Sequence, residues 1–76
     1  MGNNFLYKKG DIVLCKYFDT EHDRYVNVYG FILERIKNPG EWGVDKDYNI
    51  FLQLYGKKVW LREDEITKLI DRKPYA

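Results

Sequence analysis

Asn49-Ile50-Phe51-Leu52-Gln53-Leu54-Tyr55-Gly56-Lys57-Lys58-Val59-Trp60-Leu61 is the stretch on which the fold turns. From Asn49 to Tyr55, the side chains Ile50, Leu52 and Leu54 alternate with Phe51, Gln53 and Tyr55. That is the period of a pleated strand, in which successive side chains face opposite ways. Gly56-Lys57 supplies a tight hairpin turn, and Lys58 to Leu61 forms the return strand. Downstream, Arg62-Glu63-Asp64-Glu65-Ile66 is short, acidic and has one apolar anchor, which suits a single 3₁₀ turn. Thr67 to Ile70 is long enough for a closing strand. Residues 72–76 are polar, contain Pro74 and read as a fraying tail.

Upstream, the same period recurs. In Asp11 to Phe18, Val13, Cys15 and Tyr17 share one face and Ile12, Leu14 and Phe18 the other. Asp19-Thr20-Glu21-His22-Asp23 reads as a polar loop. Tyr25 to Ile36 alternates again, with Val28, Gly30, Ile32 and Ile36 against Tyr29, Phe31, Leu33 and Arg35. Gly30 inside this run suggests a bulge or sharp bend. Lys37-Asn38-Pro39-Gly40 is the strongest breaker in the chain. Glu41 to Asp47, with Trp42 and Val44, reads as a short irregular extended piece.

The expected fold is therefore all-β: a five-stranded, strongly bent antiparallel small barrel with one 3₁₀ turn before the last strand. Closure would remove the sheet edges that invite aggregation. Residues 1–7 form an N-terminal extension to a single domain over residues 8–71. An open sheet covered by a C-terminal helix from Arg62 to Lys73 is the competing arrangement, since Ile66, Leu69 and Ile70 also lie at helical spacing. Three groups of residues carry a resemblance to the Src-homology-3-type small barrel, with its Tudor-like and KOW-like modules. They are Lys9-Gly10-Asp11-Ile12-Val13, Gly30-Phe31-Ile32-Leu33 and Val59 to Ile66. The resemblance is one of architecture, and many unrelated functions use such barrels.

Composition narrows the function classes. With 76 residues, 45% hydrophobic and 17% aromatic, the chain suits one small globular domain rather than a disordered segment. Thirteen basic and twelve acidic side chains leave a formal charge of +1, so the total offers no whole-molecule grip on nucleic acid or anionic lipid. One cysteine excludes an internal disulfide, and one histidine excludes the usual zinc spacings. No run of apolar residues is long enough for a membrane span, and Met1 to Phe5 has no signal-peptide pattern, so the chain is expected to be cytoplasmic.

No constellation calls for catalysis, a cofactor or a small-molecule substrate. Cys15 as a nucleophile needs a base, and His22, the one imidazole, lies beyond the strand. Cys15 reads as a small core residue. Asp19, Glu21, His22 and Asp23 match no metal loop and read as solvated. Consecutive Glu63, Asp64 and Glu65 point different ways, so they do not form a paired-carboxylate site.

Aromatic residues are more abundant than so thin a core needs. Trp42, Phe51, Tyr55 and Trp60 are the expected protein-binding face of a non-enzymatic module, whether regulator, adaptor or assembly component. The alternative is a nucleic-acid-binding barrel, with Lys8, Lys9, Lys57, Lys58 and Arg62 on phosphates and neighbouring rings stacked on bases.

Overall fold

The computed structural model describes residues 4–40 and 43–72. Five strands follow one another: β1 (Ile12–Asp19), β2 (Arg24–Gly40), β3 (Gly43–Leu52), β4 (Lys57–Arg62) and β5 (Ile66–Asp71). A single 3₁₀ turn, Glu63–Glu65, joins β4 to β5. All pairings are antiparallel, and the sheet order is β4-β3-β2-β1-β5.

The core forms on one face of this sheet. Val13 and Cys15 of β1, Val28 and Ile32 of β2, Tyr48, Ile50 and Leu52 of β3, Leu61 of β4 and Ile66 of β5 are all buried there. These positions recur at every second residue, as burial of one sheet face requires. Phe5 and Tyr7 pack over the same face, each edge-on to Tyr48, with ring centroids 5.6 and 5.7 Å away.

The sheet is not closed into a barrel. β4 and β5 remain its two edges, and no ladder joins them. The gap is filled by the N-terminal segment and the acidic turn. Tyr48 Oη donates to Glu63 Oε2, and the Leu6 N–H donates to the same oxygen at 3.1 Å. The two edges are blunted in different ways. β5 departs from regular register against β1 in two places, between Ile12/Val13 and Leu14/Cys15, and β4 carries Lys57, Lys58 and Arg62. Bulges and charges both disfavour edge-to-edge pairing. The C-terminal segment is strand up to Asp71, so the alternative of a covering helix from Arg62 is also excluded.

Three local expectations change. Gly30 sits in unbroken register, opposite Val13 on one side and Leu52 on the other. It is glycine because of close approach: a Cβ there would collide with Ile50 Cγ2 and lie 3.2 Å from Cys15 Sγ. The bulge falls instead between Ile32 and Glu34. One extra residue reverses the alternation, so Arg35 faces Tyr48 on the core side and Ile36 faces Asp47 on the other. Finally, Lys37 to Gly40 does not end the strand. Pro39 pairs with Val44 and Gly40 with Gly43 at the far end of the β2–β3 hairpin, where a missing N–H costs least. Gly43 to Asp47 is accordingly regular strand.

The β1–β2 hairpin outruns its neighbours. β5 pairs with β1 only as far as Cys15, and β3 pairs with β2 only from Gly30 onward. Lys16–Asp19 and Arg24–Tyr29 are therefore a two-stranded ribbon in their backbone pairing, with Tyr17, Val26 and Val28 still packed on the core.

Replacing Gly30 by Ala inserts a methyl into the tightest point of the core. The expected loss is about 1–3 kcal/mol, in the range for overpacking. A lower urea midpoint with an unchanged m-value supports this packing; a midpoint equal to wild type contradicts it.

Candidate functional site

Among the described residues the buried cluster lies on the first face of the sheet, and the second face keeps its large rings exposed or half-buried. Strand parity assigns its residues. Directly opposed pairs run from Lys58 to Phe51, from Phe51 to Phe31 and from Phe31 to Ile12, across β4, β3, β2 and β1. A second row places Leu14 opposite Tyr29. Trp60 lies opposite Asn49 and so is a diagonal neighbour of Phe51, within reach of a large ring. Trp60 is 51% exposed and Tyr29 53% exposed, while Ile12, Leu14, Phe31 and Phe51 are half-buried by one another. Asn49, beneath Trp60 on this face, has a buried side-chain oxygen with no hydrogen-bond partner.

Polar groups rim this patch. Lys58 and Arg62 flank Trp60 on the same side of β4, since both are two residues away. Arg62 is opposed by Asp47 and lies 3.4 Å from Asp64, and Glu34 stands opposite Asn49. Arg62 is thus accompanied by carboxylates.

The remaining sequence candidates go elsewhere. Tyr55 leaves the patch because β3 ends at Leu52 and residues 53–56 form a turn, with Gly56 at φ 63°. Its ring packs 5.1 Å from Tyr17, and its hydroxyl donates to Asp19 Oδ2 at 2.9 Å. Trp42 lies outside the described residues. Lys57 faces away from Lys58, with its ammonium 5.2 Å from the centre of the Tyr17 ring. Lys8 and Lys9 lie in the turn before β1, three strands across the sheet from β4. The five cations of the nucleic-acid alternative do not converge.

Three carboxylates act as structural pins. Asp19 is buried and accepts from the Glu21 N–H at 3.0 Å, the His22 N–H at 3.2 Å, His22 Nδ1 at 2.9 Å and the Tyr55 hydroxyl. The His22 hydrogen bond, followed by that from Tyr55, holds its pKa down to about 2. Asp19, Glu21 and His22 present ligand atoms within 4.8 Å of one another, but the Asp19 oxygens are already engaged in closing the hairpin. Glu63 binds Tyr48 and Leu6, and Lys46 Nζ lies 3.7 Å away. Burial, reinforced by the bond to Glu63, raises the Tyr48 pKa.

Asp11 is the third pin. It is 2% exposed, accepts the Lys8 N–H at 2.8 Å and binds the Arg72 guanidinium, whose Nη2 is 2.9 Å from Oδ2. Burial alone raises the Asp11 pKa, but the bonds from Arg72 and Lys8 outweigh it and hold the carboxyl below its ordinary range. Arg72 also donates to the Leu6 carbonyl. The sequence places Asp11 at the start of the first strand run and Arg72 in the tail; their 61-residue separation leaves no local signal.

Cys15 is fully buried, and burial pushes its thiol up to about 11. Thiolate is scarce there at neutral pH, which fits the core role expected of it. No helix among the described residues is long and apolar enough to cross a membrane. Comparison with family models, curated proteins and solved structures finds no match to this chain.

Asp11 and Asp19 both hold protons less readily folded than unfolded, so acid favours the unfolded chain. Their contribution is complete above the unfolded pKa of about 4 and is lost as pH falls from there toward about 2. The thermal midpoint is expected to drop across that window, and to drop less in a D11N/D19N double variant. An equal drop in both proteins contradicts the assignment.

Proposed function

We propose that this protein is a non-catalytic binding module that engages a protein partner through the uncovered face of its sheet, around Phe51, Trp60, Phe31 and Tyr29. The observation that carries this reading is the continuous apolar row Ile12–Phe31–Phe51, with Trp60 and Tyr29 standing exposed beside it. An apolar centre with a charged rim is the anatomy of a protein interface. Large rings held by a rigid sheet bury much area at little entropic cost, which makes Trp and Tyr frequent hot spots.

The architecture agrees with this use. A meander in the order β5-β1-β2-β3-β4, with a 3₁₀ turn before the last strand, supports kinship in design with Src-homology-3-type modules, in an opened form. Such modules display binding surfaces on a small sheet scaffold. The carboxylates beside Arg62 favour a protein over a nucleic acid, because phosphate binding needs a net cationic track.

Trp60→Ala tests the reading. Half the side chain is already in solvent, so folding stability is expected to change little. Capture from the source lysate should yield a defined partner whose affinity falls at least about 30-fold in the variant, as for a hot spot of about 2 kcal/mol. Retention must survive nuclease and added salt. A partner held equally by the variant, or released by nuclease, overturns the proposal.

A further inference from the structure

We propose a second binding site, which adjoins the aromatic face at Tyr29: the free edge of β2 at Tyr25–Tyr29, which accepts an extended peptide from a partner as an added strand. The edge is free of strand pairing because the β2–β3 ladder ends at Gly30–Leu52 and residues 53–56 form a turn, which touches the β1–β2 hairpin through Gln53 and Tyr55. In an antiparallel ladder, the N–H and C=O of alternate residues point to opposite neighbours. Ile32 donates to Asp11 and accepts from Gly10, so even-numbered β2 residues bond toward β1. Register between β1 and β2 is unbroken from Arg24 to Phe31, so the same parity holds to the tip. Odd-numbered residues face the other side, and the Tyr29 carbonyl does accept the Gln53 N–H there at 3.3 Å. Beyond Tyr29, the N–H and C=O of Asn27 and Tyr25 open onto the side where β3 has departed.

Beside this edge lies an apolar groove of about 340 Å³ lined by Asn27, Val28, Tyr29, Gln53 and Leu54. Leu54 is 76% exposed, and Tyr25 and Tyr29 are 61% and 53% exposed. These two features specify the occupant. Outward-pointing backbone donors and acceptors at alternate residues are matched by extended backbone, and an apolar groove is matched by alternate apolar side chains. No residue lining the groove is charged, so recognition in the groove rests on apolar contact. The opposite edges are unsuited to the same role, since β4 is cationic and β5 is bulged. A bare edge of this kind is ordinarily guarded in a protein that does not use it.

The test uses the whole chain and a panel of fluorescein-labelled octapeptides alternating Val, Ile or Leu with Ser. Amide exchange by NMR reads the edge directly. In the free protein, the Tyr25 and Asn27 amides exchange fast and those of Val26 and Val28 slowly. Binding of a panel peptide should slow Tyr25 and Asn27 at least tenfold, with affinity unchanged between 50 and 500 mM salt. Asn27→Pro removes an outward donor while sparing the β1 ladder, and should weaken binding at least tenfold. Should that variant fold poorly, N-methylation of alternate peptide residues serves instead: one register abolishes binding and the other leaves it intact. Trp60→Ala should leave binding intact, separating this site from the aromatic face. The proposal is overturned if no panel peptide alters exchange at Tyr25 and Asn27. It is equally overturned if these amides are already protected in the free protein, or protected in proportion to protein concentration, which assigns the edge to a second copy of the chain.

Discussion

A single sheet has two faces, and seventy-six residues provide material to cover one. That constraint governs this protein. The core is one layer of side chains gathered on one face around Gly30, where the lack of a side chain lets Ile50 and Cys15 come together. Small chains bury only about 60% of the surface they expose when unfolded, so much apolar area stays outside. Here part of it forms a continuous row on the opposite face, flanked by exposed Trp60 and Tyr29, while Leu6, Val44 and Leu54 stand exposed elsewhere. Concentrated exposure of rings in a monomer marks an interaction surface far more often than dispersed exposure does.

Because the core is thin, the ends of the sheet are held by polar pins. Glu63 ties the 3₁₀ turn to Tyr48 and to the N-terminal segment. Asp11 ties the start of β1 to Arg72 beyond the end of β5. Asp19 ties the tip of the β1–β2 ribbon to Tyr55 in the β3–β4 turn. Each is an acid that looks like solvated surface in the sequence. Each is committed to closing a boundary that a fully closed barrel would close by strand pairing. These three acids therefore serve the fold, and the apolar face and the free β2 edge remain as candidate binding surfaces.

Much of the fold can be read from the sequence because half-buried strands print their period directly. The run Ile50 to Leu52, the return through Val59 to Leu61 and the acidic turn all sit where alternation places them. Parity through the hairpin also puts Phe51 and Trp60 on one face. The same parity misplaces Tyr55, because the strand stops at Leu52 and the turn breaks the period. Closure was not legible, since it depends on whether β4 and β5 meet in space rather than on any local pattern. Gly30 and Pro39 mislead for a related reason. Both residues have two uses, and only the neighbours across the sheet show that one serves close packing and the other a hairpin end. The bulge after Ile32, which carries Arg35 over to the Tyr48 side, has no marker residue of its own.

Hydroxyl-radical footprinting of the isolated protein tests the central claim most directly, because it reports side-chain exposure ring by ring. Trp60 and Tyr29 are expected to be oxidised rapidly, Phe31 and Phe51 at intermediate rates, and Tyr48 hardly at all. Protection of Trp60 and Tyr29 to the level of Tyr48 would mean that both faces of the sheet are covered, and the account of an uncovered binding face would be wrong.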